Sequence, residues 1–259
     1  MVSEKLHPMK IKMIATDLDR TLLREDKTIS NRTISALKRC REKGIKVIYA
    51  TGRGNSSKIL APSEMFDGIV QMNGAVAYIG GTLVYNRLIP VENVRRLLVG
   101  ADRAGIKIAA EYSGMHYANF NVTARWEFIK HYEIADFTKL DIIVEKIYAV
   151  IEKQQDIDLI KKYLSDDLYL NVSYDNLAMV MHCEAKKSMA VAAIAERWNI
   201  RQCEIAAFGD DVNDIDLLQY SGTGIAVENA LDEVKAAADF VCDSNENDGV
   251  AKWLEDNVL

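Results

Sequence analysis

The chain has 259 residues, of which 49% are hydrophobic and 27% are charged, and its formal net charge is -6. This composition is that of an ordinary globular protein with enough apolar residues for a core. The acidic balance lacks the basic excess typical of proteins that bind nucleic acid, and no apolar run reaches the roughly 18 residues that a membrane helix needs. We therefore expect neither nucleic acid nor a membrane as a partner.

The N-terminal sequence and the cysteines bear on the compartment. The first ten residues, MVSEKLHPMK, contain no apolar segment of the kind found in secretory signals, and we expect residues 1–8 to form a loose extension. The cysteines are scattered and form no C-x-x-C pair, which favours buried free thiols in a reducing cytosol over disulfides or a zinc site. The sequence thus predicts a cytoplasmic protein. The cysteines are Cys40, Cys183, Cys203 and Cys242.

The first third of the chain alternates between strand and helix patterns. Ser30 is a suitable N-cap for a helix that ends at Gly44. Residues 75–89 predict a β-hairpin that turns at Gly80-Gly81. Apolar runs typical of buried strands lie at 11–16, 45–50 and 69–70.

The middle of the chain, from about Pro90 to about Cys183, has a different pattern. It predicts antiparallel strands combined with helices, as in an α+β domain. The predicted helices lie at 91–104, 126–132 and 156–164, and the predicted strands at 106–112, 147–151 and 168–182, the last long enough to form a hairpin.

The last third returns to alternation. Helices are predicted at 187–198, 231–238 and 248–259, and a further helix is predicted to begin in the motif GDDVNDIDLL. Strands are predicted at 205–208, 224–227 and 240–243. The simplest architecture is an α/β core with a parallel sheet, formed by residues 1–86 and 184–259. The α+β domain of residues 87–183 is inserted between these two parts of the core.

Three of the predicted core strands end in residues with side-chain oxygens. Asp17 and Asp19 follow the first, Thr51 follows the second, and Asp210 follows the strand after the inserted domain. Ligands bind beyond the carboxyl ends of parallel strands, so we expect these side chains to converge on one crevice together with Asp214. Because crowded carboxylates destabilise each other's charged forms, a hard divalent cation such as Mg²⁺ is expected among them.

A phosphate group bound beside that cation needs hydrogen-bond donors. The candidates are the Thr51 hydroxyl, backbone N–H groups of the turn that begins at Gly52, the Asn213 amide and the Lys187 ammonium group. A lysine and a metal ion would neutralise charge on a phosphoryl group during its transfer.

The paired carboxylates then have separate candidate roles. Asp17 is a candidate nucleophile toward phosphorus, which would give an aspartyl-phosphate. Asp19 is a candidate acid and base that protonates the leaving alcohol and later deprotonates the attacking water. A D-x-D pair without other motifs is more often a helix cap or a solvated turn, and it is the occurrence of this pair with Thr51 and Lys187 that favours catalysis.

Four motifs in chain order resemble those of the haloacid dehalogenase-like superfamily, and more closely those of the Cof-type phosphatases with a type IIB cap. The motifs are DLDRTLL with Asp17 and Asp19, YATGR with Thr51, AKKSMAVAAI with its lysine, and GDDVNDIDLL with Asp210, Asn213 and Asp214. The elements Asn73-Gly74-Ala75 and DGVAKWL also resemble the family. The resemblance implies a Rossmann-like parallel-sheet core with an inserted α+β cap and Mg²⁺-dependent hydrolysis of phosphate monoesters.

The resemblance also implies a set of metal ligands: the carboxylates of Asp17 and Asp210 and the backbone carbonyl of Asp19, with Asp214 supporting the site from behind.

The sequence departs from the family pattern in two places. Arg20 stands where the family usually has glycine, and its guanidinium group is expected either to contact substrate or to point to solvent. Ser188 follows the motif lysine where glycine is usual. Alignment of Ala190 and Val191 with the family's pattern selects Lys187 over Lys186 as the motif lysine.

Three functions remain open at this point. The first is a phosphatase acting on a small phosphorylated metabolite, such as a sugar phosphate. The second is a phosphotransferase of the same chemistry, such as a phosphomutase, and the third is a catalytically silent protein that binds a metabolite. The sequence predicts no oligomeric state.

The inserted domain is expected to act as a cap that selects the leaving group. Its stretch from Glu111 to Asn121 is the candidate contact surface, although structural roles are favoured for His116, Tyr117 and Trp126. Elsewhere, Asn73 and Gly74 are interpreted as turn residues. For Asp211, a role in supporting the site and a position facing solvent are equally favoured.

Overall fold

The computed structural model describes residues 11–127, 129–172 and 176–259; the expected N-terminal extension, residues 1–8, lies outside them. The chain divides into two compact units. The first comprises the described residues up to Tyr85 together with Lys186–Leu259, and the second comprises Asn86–Ala185. Within the described residues, no helix is long and apolar enough to cross a membrane.

The strands are numbered in chain order. They are β1 Met13–Thr16, β2 Lys46–Ala50, β3 Gly68–Gln71, β4 Val76–Ile79, β5 Thr82–Asn86, β6 Ile108–Tyr112, β7 Met115–Ala118, β8 Tyr132–Ile134, β9 Lys146–Val150, β10 Leu168–Val172, β11 Leu177–His182, β12 Ile205–Gly209, β13 Thr223–Val227 and β14 Phe240–Cys242.

The α-helices are numbered in the same way. They are α1 Asn31–Glu42, α2 Ser57–Leu60, α3 Val91–Arg103, α4 Gln154–Tyr163, α5 Lys187–Arg197, α6 Ile215–Tyr220, α7 Asp232–Ala237 and α8 Gly249–Asn257. Short 3-10 helices lie at Ser63–Met65, Met72–Gly74, Val122–Ala124, Gln202–Glu204 and Val212–Asp214.

The first unit contains an eight-stranded sheet in the order β14-β13-β12-β1-β2-β3-β4-β5. The strands from β14 to β3 pair in parallel, and β4 pairs antiparallel with β3. All four residues of the central strand β1 are buried, as expected for a parallel sheet covered on both faces. The predicted α/β fold with a parallel sheet is therefore confirmed.

Local signals in the first unit act as predicted. The Ser30 side chain caps α1 by accepting a hydrogen bond from the Thr33 N–H at 3.0 Å. Gly80 and Gly81 both have positive φ, 54° and 80°, which suits the tight turn between β4 and β5.

The second unit contains a six-stranded sheet in the order β10-β11-β9-β6-β7-β8. Residues of α3 and α4, such as Leu97 and Ile160, form one apolar cluster with Ile108 and Ile147 of the sheet. A smaller cluster contains Ala109, Ala118, Val122 and Tyr148. Ala109 and Tyr148 are the strand neighbours of Ile108 and Ile147, so their side chains lie on the opposite face of the sheet. The residues that link β10 and β11, 173–175, lie outside the described residues.

The predicted helix at 126–132 is wrong. Of this segment the structure describes all residues except 128, and Tyr132 begins strand β8, which pairs with β7. The Asn121 side chain instead caps a 3-10 helix one turn earlier, at Val122–Ala124. Trp126 packs edge-on against Tyr148 with ring centroids 5.4 Å apart, so packing against the sheet determines the path of this segment.

The expectation for the cysteines is partly wrong. All four are free thiols, but only Cys40 is buried. Cys183, Cys203 and Cys242 are partly exposed because they lie at or beside the ends of elements, where neighbouring backbone gives less cover.

Candidate active site

Strand order brings the predicted site residues to one edge of the first unit's sheet. Strand β1 lies between β12 and β2, so Asp17, Asp210 and Thr51 follow three adjacent strands. All three residues are buried. The Asp17 N–H donates to the Phe208 carbonyl at 2.9 Å, which continues the pairing of β1 with β12 up to the site.

Lys187 is the cation at the centre of this edge. Its Nζ lies 2.7 Å from Oδ1 of Asp17 and 2.6 Å from Oδ1 of Asp214, and all three side chains are buried. Lys186 is exposed. The helix register therefore places Lys187, and not Lys186, in the site.

The close approach of Gly74 to Lys186 helps to fix that register. Gly74 has φ of +98°, and a Cβ built on it would lie 2.2 Å from the Lys186 carbonyl oxygen. Only glycine leaves room for this contact between the turn after β3 and the start of α5. Gly74 is thus a turn residue, as interpreted, and it also positions the helix that carries Lys187.

Three carboxylates form the acidic cluster of the site. Asp17, Asp210 and Asp214 each offer an oxygen within 4.8 Å of the others. Asp214 is fixed because its Oδ2 accepts hydrogen bonds from the backbone N–H groups of Asp210 at 3.0 Å and Asp211 at 3.2 Å. Oδ1 of Asp210 accepts from the Thr21 hydroxyl at 2.8 Å.

The cluster is electrostatically strained. Burial raises the pKa of Asp17, Lys187 opposes this rise, and Asp214 and Asp210 add to it. Burial and Asp214 raise the pKa of Asp210 to about 6, although Thr21 and Arg20 oppose the rise. Burial alone would lower the pKa of Lys187, but Asp17 and Asp214 hold it above its usual value.

This donor set fits a hard divalent cation. Of the three crowded carboxylates, Asp17 and Asp214 share Lys187, and Asp210 has Arg20 only at 3.9 Å. Carboxylate oxygens are the protein ligands that Mg²⁺ prefers. A bound cation would offset the burial and the repulsion that together raise the pKa values of Asp17 and Asp210.

Asp19 differs from the other carboxylates because cations already hold its side chain. Its Oδ1 lies 2.7 Å from Nη2 of Arg53 and 2.9 Å from Nζ of Lys27, and Oδ2 accepts from Nε of Arg53. Partial burial raises the pKa of this carboxyl, but hydrogen bonds from Arg53 and Lys27 outweigh burial and lower it. These contacts therefore favour the ionised form of the Asp19 side chain.

The candidate phosphate-binding residues lie on loops that are joined to one another. Oγ1 of Thr51 accepts from the Arg53 N–H at 3.1 Å, which leaves its own proton available to a ligand. The Thr51 carbonyl accepts from the Asn73 N–H at 3.0 Å, and Oδ1 of Asn73 accepts from Nδ2 of Asn213 at 2.9 Å. A Cβ on Gly52 would lie 2.8 Å from that same Oδ1 of Asn73, so a larger residue at position 52 would displace the Asn73 amide.

Some residues at the site had no assigned role in the sequence. Thr21 and Arg53 lie inside the motifs DLDRTLL and YATGR, so their positions were the available signal. The sequence identifies Asn73 only as a turn residue, and its φ of 51° agrees with that, but its side chain also orients Asn213. Asp211 is exposed, and its side chain accepts from the Val212 N–H.

Comparison with known proteins agrees with this geometry. A family model described as haloacid dehalogenase-like hydrolase matches residues 14–254. The chain belongs to the haloacid dehalogenase-like hydrolase family. The resemblance deduced from the four motifs is thereby confirmed.

The similar proteins of known name are phosphatases. The 5-amino-6-(5-phospho-D-ribitylamino)uracil phosphatase YitU of Bacillus subtilis is 28% identical over 262 residues, which cover 94% of this chain and 96% of YitU. The phosphatase YcsE of the same organism, named for the same substrate, is 25% identical over 269 residues and is covered in full by this chain. This haloacid dehalogenase-like chain is therefore a phosphatase.

Solved structures show the same fold. The phosphatase BT1666 of Bacteroides thetaiotaomicron has a TM-score of 0.86 and 25% identity, with 99% of this chain and 100% of that chain covered. The subclass IIB sugar phosphatase BT4131 has a TM-score of 0.80 with 24% identity over 95% of this chain and 98% of its own, a likeness of fold.

Proposed function

We propose that this phosphatase hydrolyses monoesters of small phosphorylated metabolites, such as sugar phosphates, with Mg²⁺ and through an aspartyl-phosphate on Asp17. The observation that carries the proposal is the buried contact of Lys187 with both Asp17 and Asp214, next to Asp210. This arrangement supports a site at which the Asp17 carboxylate acts as the nucleophile, Lys187 supplies a fixed positive charge and the acidic cluster binds a divalent cation.

The metal would be held by the carboxylates of Asp17 and Asp210 and the backbone carbonyl of Asp19, with Asp214 fixing Lys187 and the loop behind them. When bound, Mg²⁺ supplies charge neutralisation for the phosphoryl oxygens. Lys187, the Thr51 hydroxyl, the Asn213 amide and the backbone at Gly52 donate hydrogen bonds to the same oxygens.

The first step transfers the phosphoryl group to the protein. An oxygen of Asp17 forms a bond to phosphorus as the bond from phosphorus to the leaving oxygen breaks, and the leaving oxygen takes a proton from Asp19. Since Arg53 and Lys27 favour ionised Asp19, delivery of that proton requires their contacts with Asp19 to loosen when substrate binds.

The second step regenerates the enzyme. Ionised Asp19 takes a proton from water as the water oxygen bonds to phosphorus, and the bond from Asp17 to phosphorus breaks. Inorganic phosphate leaves and the Asp17 carboxylate is restored. The ion pair with Arg53 suits this step because it favours the form of Asp19 that accepts a proton.

A phosphotransferase would use the same groups with a sugar hydroxyl in place of water, and a silent binding protein would use none of them for turnover. The complete set of Asp17, Asp19, Thr51, Lys187 and Asp210 speaks against the silent alternative.

Phosphate release from a panel of compounds distinguishes these alternatives. The panel holds sugar phosphates, nucleotides, cofactor phosphates and the phosphorylated ribitylaminouracil for which YitU is named, each with Mg²⁺ or with excess EDTA. We expect phosphate release with Mg²⁺ only.

We expect Asp17→Asn to abolish phosphate release because an amide is not a nucleophile. The exposed control Asp232→Asn should leave phosphate release unchanged. Activity of Asp17→Asn within tenfold of the parent would contradict the covalent route, and transfer to sugar without release would favour the phosphotransferase.

We further propose that the second unit, predicted as residues 87–183, is the cap that selects the leaving group, because the core motifs account only for phosphate and metal. The stretch from Glu111 to Asn121 forms the end of β6 and strand β7. Within it Glu111 and His116 are buried, which leaves Tyr117 as the better probe. Tyr117→Ala is expected to change the ranking of substrates while Mg²⁺ affinity stays constant; an unchanged ranking would speak against this surface.

We also propose that the enzyme acts in the cytoplasm, in keeping with its four free thiols.

A further inference from the structure

Arg20 has a backbone conformation that normally favours glycine. Its φ is 60°, in the left-handed region, where a β-carbon is disfavoured. The backbone is held there from outside, because Nδ2 of Asn229 donates to the Arg20 carbonyl at 2.7 Å and Oδ1 of Asn229 accepts from the Asn245 N–H at 3.0 Å. The fold thus keeps an arginine at a strained position beside the nucleophile.

The guanidinium group of Arg20 has donors to spare. Its Nε lies 3.9 Å from Oδ2 of Asp210, at the outer limit of an ion pair, and Nη2 makes a long hydrogen bond of 3.3 Å to the Asn229 carbonyl. Its side chain is 56% exposed. A guanidinium group has five N–H donors, and these two contacts use at most two of those on Arg20.

The other cations at the site are already paired. Within the described residues, Lys187 contacts Asp17 and Asp214, and both Arg53 and Lys27 contact Asp19. Lys187 is also buried, which suits the phosphoryl group that is transferred, whereas Arg20 extends outward from the same site. A guanidinium group with free donors binds phosphate or carboxylate in a bidentate manner.

We propose that Arg20 binds a second anionic group of the substrate, a phosphate or carboxylate other than the phosphoryl group that is transferred. This inference rests on the proposed function and narrows its substrate class to metabolites that carry two anionic groups. Substrates with an uncharged remainder would bind without help from Arg20.

Matched pairs of compounds test the inference by binding. Isothermal titration of the Asp17→Asn protein with Mg²⁺ compares 6-phosphogluconate with glucose 6-phosphate, which differ by a carboxylate, and fructose 1,6-bisphosphate with fructose 6-phosphate, which differ by a phosphate. We expect the doubly anionic member of at least one pair to bind at least tenfold more tightly. The pair that shows the difference identifies the second anion.

Substitution of Arg20 then assigns the effect. When Arg20→Gly is added to the Asp17→Asn protein, we expect the affinity for the doubly anionic compound to fall about tenfold and the affinity for the singly anionic compound to stay within twofold. Arg20→Lys should retain part of the preference because it keeps the positive charge but lacks the planar guanidinium group. Arg39→Ala, at an exposed position of α1, controls for net charge. Glycine suits the local φ, so we expect Arg20→Gly to fold with an unchanged thermal midpoint.

The remaining outcomes overturn the inference. Equal weakening of both members by Arg20→Gly would mean that Arg20 acts on the transferred phosphoryl group or the metal. No effect, or no binding of the doubly anionic compounds, would remove Arg20 from substrate binding. Failure of the proposed function is seen separately, as absence of phosphate release by the unmodified protein from every compound of the panel.

Discussion

At the scale of single residues, two charged side chains of the site differ in burial: Lys187 is fully buried, and Asp19 is partly exposed. Lys187 is fully surrounded by protein and shared between two carboxylates, so its charge is fixed in place. Asp19 is only partly buried and is held by Arg53 and Lys27, which are themselves partly exposed. Water screens the ion pairs of Asp19, so they open far more easily than the buried ion pairs of Lys187.

Replacement of Lys187 should therefore be severe. Lys187→Ala leaves Asp17 and Asp214 buried without their cation, and we expect kcat/KM to fall by about 10³-fold. Lys186→Ala, at the exposed neighbouring position, should stay within about twofold of the parent. Phosphate release by variants shown to be folded by circular dichroism measures the ranking, and the reverse ranking would contradict the register that the structure shows.

Arg53 is expected to matter because it orients Asp19. Arg53→Ala removes a two-point contact that holds Asp19 in place and favours its ionised form. We expect kcat to fall by about 10- to 100-fold because a displaced Asp19 no longer takes the proton from water efficiently in the second step. Lys27→Ala removes a single contact with the same carboxylate and should have a smaller effect. Steady-state kinetics with one substrate compares kcat of the two variants with that of the parent. Equal activity of Arg53→Ala and the parent would show that Asp19 does not need Arg53 to orient it.

At the scale of elements, the β6-β7-β9 region of the second unit contains buried polar groups that have no part in the proposed chemistry. Glu145 directly precedes β9, and its N–H donates to the Glu111 carbonyl at 2.9 Å, while its carboxyl accepts from the Ser113 N–H at 3.1 Å. Burial raises the pKa of Glu145 to about 7, with Ser113 and Lys146 opposing and Glu111 adding to the rise. This strand end is thus a source of pH-dependent stability.

The sign of that dependence follows from the protons bound. Between the ordinary pKa of about 4.5 and the folded value of about 7, the folded protein holds a proton on Glu145 that the unfolded chain has lost, so stability falls as pH rises through this window. Glu145→Gln cannot ionise and should be more stable than the parent at pH 8, by about 3 kcal/mol at most, but not at pH 4.5. Thermal midpoints at both pH values measure this difference, with the exposed Glu152→Gln as control. A gain that is the same at both pH values would rule out ionisation as its cause.

At the scale of the whole molecule, the proposed metal site exists only when the first unit is folded. Asp17 comes from the segment before the second unit, and Asp210 and Asp214 come from the segment after it. An ion that binds this cluster therefore binds the folded chain and not the unfolded one, and it should stabilise the fold.

Mg²⁺ at about 100 times its dissociation constant should stabilise the protein by about 2.7 kcal/mol, which corresponds to a rise in thermal midpoint of roughly 5–10 °C. Differential scanning fluorimetry with Mg²⁺ or EDTA measures this shift. Asp210→Asn should abolish it, whereas the exposed Asp232→Asn should retain it. An equal shift in both variants would place the ion elsewhere.

Local signals in the sequence were sufficient for the family, the parallel fold and most elements. The Ser30 cap and the Gly80-Gly81 turn depend on residues next to one another, so no distant contact can overrule them easily. The segment 126–132 shows the opposite case. Its spacing suits a helix, but the side chain of Asn121 and the packing of Trp126 against Tyr148 give it another path.

The sequence by itself determined which chemical groups the site would contain, because the motifs lie at strand ends and parallel strands share an edge. Only the tertiary structure decided which atoms meet. The order of β12, β1 and β2 brings Asp210 beside Asp17, and the packing of α5 against α6 and the turn after β3 brings Lys187 to Asp17 and Asp214. The loop after β2 brings Arg53 to Asp19. These pairs join segments far apart in the chain, so their geometry depends on sheet order, on the close approach at Gly74 and on side-chain packing, none of which a local pattern encodes.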